Sequence, residues 1–279
     1  MKKIKLGICE WVSPVPGPSV CRVAAEVRLD GVELDIGSCE RGLPLSNATI
    51  QRYYRDEAER WGISFSSMAL NGLAPHTLLH PEDRAEDEIV RDILRRSVKA
   101  AAALSIPLIQ VPSFYDGGMD SPESMKATAH YLRYICDLAA EHDIRIGSEN
   151  TLTAEENLAL INMVNRPNFC IYFDIENAVF FRSENPAEAV RRLGKAICEI
   201  HMKDGTRKAL ASRPLGEGHA CFEECVRTIR DIDYSGWLIL ENNYDRPILC
   251  GGEHDHFETL KQDVCRLKDA FCRRNGGKP

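Results

Sequence analysis

The stretch Ile197-Cys-Glu-Ile-His-Met202 changes character at every residue. Successive side chains of a β-strand point to opposite faces, so Cys198, Ile200 and Met202 share one side and Glu199 and His201 the other. In a closed α/β barrel the outer face lies under helices and must be apolar, which turns Glu199 and His201 into the lumen. Three further stretches obey the same parity. In Trp237–Glu241, Leu238 and Leu240 face out while Ile239 and Glu241 face in. In Phe169–Asp174 the outward set is Phe169, Ile171 and Phe173, and Asp174 is inward. In Ile144–Glu149 it is Ile144, Ile146 and Ser148, which leaves Glu149 inside. Glu33 and Asp35 come out inward on an earlier strand.

Working outward, short apolar runs alternate with longer amphipathic ones along the whole chain. The strands are expected at Ile4–Cys9, Gly31–Ile36, Ile63–Leu70, Leu108–Pro112, Ile144–Glu149, Phe169–Asp174, Ile197–Met202 and Trp237–Glu241. The helices are expected near Ser19–Arg28, Thr49–Trp61, Arg84–Leu104, Pro122–His142, Ala154–Val164, Pro186–Leu193, His219–Ile229 and Asp255–Cys272. Strict strand–helix alternation implies parallel strands with helical crossovers, and eight such units close a barrel with a packed interior. The expected fold is a single α/β domain, a (β/α)₈ TIM barrel over residues 1–272, followed by a disordered tail, Arg273–Pro279. An open doubly wound sheet lacks support, because no glycine-rich phosphate loop follows the first strand.

Composition narrows the function. A net charge of −7 without a basic face argues against a nucleic-acid partner. No apolar run approaches the ~20 residues needed to cross a bilayer, so no membrane role is expected. The start is basic, but Glu10, Pro14 and Pro16 break the apolar stretch after it, which reads as a strand and loop rather than a signal peptide. A cytoplasmic location follows. The 11 cysteines are scattered without a CxxC pair and read as small hydrophobes in a reducing compartment.

Four successive strands thus end in Glu149, Asp174, His201 and Glu241 at one mouth, the face where barrels of this kind carry their active sites. Three carboxylates and an imidazole would repel and desolvate one another without a cation. The donor set suits one divalent ion, Mn²⁺ first, with Mg²⁺, Co²⁺ and Zn²⁺ as alternatives. Lys203, just beyond the seventh strand, is a candidate for binding substrate hydroxyls or phosphate. Glu199 is expected deeper in the lumen, His76 and His80 at the pocket rim, His254 and His256 in a surface loop, and Trp11 as an apolar wall or an oligomer contact.

Six stretches, taken in order, are recognisable: Asp30–Gly37 (DGVELDIG), Ser148–Asn150 (SEN), Phe173–Asn177 (FDIEN), His201–Asp204 (HMKD), Pro214–Gly218 (PLGEG) and Gly236–Asn242 (GWLILEN). On these motifs the chain resembles the xylose isomerase-like sugar phosphate isomerase/epimerase superfamily, which includes the D-tagatose and D-allulose 3-epimerases, hydroxypyruvate isomerase and inosose dehydratase. The resemblance implies that Glu149, Asp174, His201 and Glu241 are metal ligands, and that Glu155 and Arg207 match substrate-contacting positions of the ketose 3-epimerases. Asn177 stands where those epimerases carry histidine, so its place in a substrate site is a departure from their pattern. The implied activity is metal-dependent isomerisation or epimerisation of a sugar or sugar phosphate, by proton transfer next to a carbonyl through a metal-stabilised enediolate. Glu149 and Glu241 form the expected acid–base pair. A lyase or dehydratase acting on a keto-sugar or keto-inositol would use the same first step. The expected partner is a small carbohydrate, with a homo-oligomer open. The superfamily's endonuclease branch needs three zinc ions and extra histidines, including one where Asn177 stands.

Overall fold

The structure, a computed structural model, describes residues 4–250 and 255–272. Eight parallel strands follow one another around a closed barrel: β1 (Lys5–Cys9), β2 (Gly31–Asp35), β3 (Ser64–Ala69), β4 (Leu108–Ser113), β5 (Arg145–Asn150), β6 (Phe169–Asp174), β7 (Ile197–Met202) and β8 (Trp237–Leu240). β8 pairs back onto β1, Lys5 opposite Trp237. The surrounding helices are α1 (Val20–Glu26), α2 (Ala48–Trp61), α3 (Arg84–Ala103), α4 (Pro122–Ala140), α5 (Ala154–Val164), α6 (Ile175–Arg182), α7 (Pro186–Leu193), α8 (Phe222–Asp231), the single turn α9 (Pro247–Cys250) and α10 (His256–Cys272). The expected barrel is therefore the observed one. The segment expected to be a disordered tail, 273–279, lies outside the described residues, as does His254.

The outward strand residues form the main core. Ile8, Val32, Leu34, Ile109, Val111, Ile146, Ile200, Leu238 and Leu240 are all fully buried beneath the helices. Each such aliphatic side chain contributes ~1.5–3 kcal/mol by leaving water. The helices after β2, β3, β4 and β5 begin at the barrel mouth with side-chain caps: Asn47 for α2, Asp83 for α3, Ser121 for α4 and Thr153 for α5. Those caps satisfy backbone N–H groups that a helix start leaves without partners. In the lumen, glycine makes room for large side chains. A Cβ at Gly31 would lie 2.5 Å from the Trp237 ring, and one at Gly147 would lie 2.9 Å from Cys198 Sγ.

Two expectations fail, each for a local reason. The β6–β7 connection holds two helices where one was expected, because α6 precedes α7. The sequence Ile175-Glu-Asn-Ala-Val-Phe-Phe-Arg182 carries no one-sided apolar stripe, so periodicity does not reveal it. Asp174 starts it, accepting hydrogen bonds from Glu176 N and Asn177 N, both at 2.8 Å. Cys198 does not face the helices. The β6–β7 register slips by one residue, Ile171 opposite Ile197 but Tyr172 opposite Glu199. This bulge places Cys198 in the lumen floor, packed with Leu108, Cys170 and Tyr172.

Candidate metal centre

Glu149, Asp174 and His201 end β5, β6 and β7 or lie in their last turn of backbone, and Glu241 follows β8 directly. Register keeps them level: Asp174 is the partner of His201 across β6 and β7. Their side chains converge. His201 Nδ1 is 3.1 Å from Glu149 Oε1, 3.2 Å from Glu241 Oε2 and 3.8 Å from Asp174 Oδ2. One donor atom from each of the four lies within 4.8 Å of all the others. Donors that each sit ~2.0–2.4 Å from a shared divalent ion are separated by no more than about 4.8 Å, so the set fits one ion.

The surroundings hold each of the four side chains in place. His201 Nε2, turned away from the cluster, is 2.7 Å from Glu33 Oε2. A carboxylate on the far ring nitrogen is the usual way a metal-ligating histidine is oriented. Glu33 in turn accepts from the Tyr172 hydroxyl at 2.8 Å, and Tyr172 lies 3.2 Å from Glu199, which also accepts from Ser67 at 2.9 Å. Glu149 accepts from Gln110 Nε2 and, at 3.3 Å, from Asn177 Nδ2. Glu241 accepts from the Trp11 indole N–H at 3.2 Å. Asp174 divides its work: Oδ1 caps α6 while Oδ2 faces the cluster.

Lys203 reaches into the same space, its ammonium 2.8 Å from both Asp174 Oδ2 and Glu241 Oε2. Burial pushes the Glu149 carboxyl up to about 7, although His201 beside it pulls the other way. Asp174 is also raised by burial, against the pull of Lys203. Burial acts to raise Glu241 too, but His201 and Lys203 together outweigh it and hold this carboxyl well below its usual range. For His201 and Lys203 burial opposes the charge, yet the surrounding carboxylates keep both well above their ordinary values. The site is an acidic cage that draws cations inward.

Of the residues singled out from the sequence, the four ligands and Lys203 come together, and Asn177 stands behind Glu149. The other two lie apart. Glu155, in the first turn of α5, is 83% exposed at its side chain and pairs with Arg192 of α7 at 3.5 Å. Arg207 is exposed in the turn after β7. His76 lines a cavity of about 260 Å³ beyond β3 and β4, together with Asn71, Phe114 and Tyr115. His256 sits against the Tyr244 carbonyl. Sequence reasoning placed Glu33 in the lumen without giving it a partner, and it passed over Gln110. Strand parity marks both as inward; the β4–β5 pairing brings Gln110 to Glu149, and the closed barrel brings Glu33 across the lumen to His201.

The chain belongs to the xylose isomerase-like TIM barrel family, which it matches over residues 21–268. It is 28% identical over 241 residues to the 2-epi-5-epi-valiolone 7-phosphate 2-epimerase of Actinoplanes sp., a match covering 86% of this chain and 87% of that protein. It is 25% identical over 260 residues to the L-ribulose-5-phosphate 3-epimerase UlaE of Shigella flexneri serotype 5b, with the same shares of the two chains. The fold is shared with the D-allulose 3-epimerase from Methylomonas sp. crystallised with D-allulose, at a TM-score of 0.77 and 19% identity over 97% of this chain and 98% of that one. The protein is an enzyme of the isomerase class.

Proposed function

We propose that the protein is a metal-dependent epimerase or isomerase of a sugar or sugar phosphate, with Glu149 and Glu241 exchanging a proton with the carbon next to the substrate carbonyl. The observation that supports this is the convergence of those two carboxylates, from β5 and β8, on one centre that also takes Asp174 and His201. An α-carbon is too weak an acid for an unaided carboxylate, and a divalent ion bound by the four residues would supply Lewis-acid stabilisation of the charge that develops on the substrate oxygens. The ion we assign is Mn²⁺, on the hard-to-borderline character of three carboxylates and one imidazole.

The protein's own groups then divide the work. Gln110 and Asn177 fix Glu149 on one side of the centre. Trp11 and Lys203 fix Glu241 on the other. A substrate carbon held between them loses a proton to one carboxylate and regains it from the other, which inverts that carbon or moves its hydrogen to a neighbour. Lys203, 2.8 Å from Asp174 and Glu241, would meet a substrate oxygen bound between them. Arg207 and Glu155 would contact only a substrate reaching beyond the mouth. The enzyme is expected to act in the cytoplasm.

Incubation of the Mn²⁺-loaded protein in D₂O with D-fructose, D-fructose 6-phosphate and L-ribulose 5-phosphate tests the chemistry. NMR should show deuterium entering the carbon beside the carbonyl of at least one of them. Glu149→Gln and Glu241→Gln should each slow that exchange by ~10²–10⁴-fold, with metal content measured in the same samples. Near-normal exchange in both metal-bearing variants would refute the paired-glutamate mechanism. Exchange accompanied by a dehydrated or cleaved product would reassign the enzyme to the lyases.

A further inference from the structure

Beside the metal centre, between the segments that follow β1 and β2, lies an open cavity of about 690 Å³. Trp11 joins the two spaces: it lines the cavity, and its indole N–H donates to the ligand Glu241 at 3.2 Å. The walls carry Tyr53 and Tyr54 of α2 with a run of prolines, and the floor carries Glu10 and Asp35. Asp245 adds a third carboxylate at the edge, and among the described lining residues Arg41 is the sole lysine or arginine.

We infer that this cavity receives the non-reacting end of the substrate, and that this end is an uncharged, hydroxyl-bearing ring rather than a phosphate. The assignment rests on the epimerase reading of the neighbouring centre and adds the substrate class to it. Aromatic rings offer broad faces to the C–H surface of a sugar ring, and carboxylates accept hydrogen bonds from its hydroxyls. The volume lies within the ~300–1,000 Å³ of pockets that enclose a ligand larger than a single small sugar. Three carboxylates against one guanidinium make a poor seat for a dianion. Burial already pushes Glu10 up to about 7 and raises Asp35 above its ordinary value, so this floor resists the negative charge it has. A phosphate would meet the same penalty without the cluster of cations that phosphate sites supply.

Two ketoses with the same attachment point separate the alternatives. Isomaltulose carries a neutral glucosyl ring on O6 of fructose, and D-fructose 6-phosphate carries a phosphate there. Calorimetric titration of the Mn²⁺-loaded protein should show isomaltulose binding at least about tenfold more tightly than D-fructose 6-phosphate. Tyr53, 56% exposed on the cavity wall, can be changed without disturbing the core, and Tyr53→Ala should remove most of that preference. Tighter binding of D-fructose 6-phosphate, no binding of isomaltulose, or an unchanged preference in Tyr53→Ala would overturn the assignment. Deuterium exchange in the same samples keeps the two readings apart. Exchange into D-fructose 6-phosphate with no isomaltulose binding would discard the cavity's assignment and keep the epimerase. Tight isomaltulose binding with no exchange into any of the ketoses would do the reverse.

Discussion

At the scale of single residues, the site is organised around the two ring nitrogens of His201. Nδ1 faces the three ligand carboxylates and Nε2 faces Glu33, so the tautomer that presents a lone pair to a metal is the one in which Nε2 carries the proton to Glu33. Glu33 is thus a positioning residue. Glu33→Gln should weaken Mn²⁺ binding by ~10–100-fold, and a titration read by loss of the free-ion EPR signal would measure it. Affinity equal to wild type would leave Glu33 as lumen packing only. The convergence of Glu149, Asp174, His201 and Glu241 was legible in the sequence because alternation within a strand decides which face a residue takes. Glu33, Gln110 and Trp11 were not legible as partners. Each lies 39 or more positions from the residue it meets, so nothing in the local pattern pairs them: Gln110 reaches Glu149 across the β4–β5 pairing, and Trp11 reaches Glu241 only once β8 closes on β1.

At the scale of elements, the loop between β7 and α8 shows how a motif becomes a shape. Asp204 is buried and accepts four backbone N–H groups, from Gly205 at 3.0 Å, Gly216 at 2.9 Å, Gly218 at 3.1 Å and Ala220 at 2.9 Å. This explains the glycines of the PLGEG stretch. Gly216 has φ +79°, in the left-handed region, and a Cβ on Gly218 would lie 2.2 Å from Asp204 Oδ1. Asp204→Ala would leave these donors without an acceptor, at ~1–3 kcal/mol for each that water cannot reach. Thermal unfolding should show a clear fall in melting temperature, whereas an unchanged value would mean the loop holds its shape without the carboxylate. Helix α6 marks the limit of element-level reading. Its start depends on Asp174 capping it with one carboxylate oxygen while the other faces the acidic cluster, a double duty that residue type alone does not announce. The bulge at Cys198 marks another, since one extra residue in the strand turns Cys198 to the same side as Glu199 while Glu199 and His201 keep the inward face that alternation gives them.

At the scale of the molecule, α10 is fastened to the barrel mouth beside the β8–β1 closure. Asp263 of α10 is buried and accepts from Leu215 N at 2.9 Å, Asn242 Nδ2 at 2.9 Å and Tyr244 OH at 2.8 Å, tying the last helix to the segments after β7 and β8. Burial pushes its carboxyl up to about 6, against the pull of those donors. A carboxyl raised on folding holds its proton more firmly in the native state, so its contribution is fully present below about pH 4 and is lost as pH rises through 6. The loss is on the order of 2–3 kcal/mol. Melting curves from pH 4 to 7 should show this decline in the wild type and a flatter profile in Asp263→Asn; parallel profiles would remove Asp263 from the account. The barrel itself was legible because eight strand–helix units leave few other ways to bury so many apolar faces. The cavity beside Trp11 was not, because it is assembled from the segments after β1 and β2, from α2 and from Asp245, which no local pattern brings together. The central claim is that Glu149, Asp174, His201 and Glu241 hold one divalent ion. Titration of chelator-treated protein with Mn²⁺, followed by EPR, tests it most directly. One tight equivalent per chain is expected, lost in His201→Ala and strongly weakened in Asp174→Asn, which keeps an oxygen to cap α6, while both variants keep the wild-type circular dichroism spectrum. No tight binding in the wild type, or full binding in both variants, would contradict it.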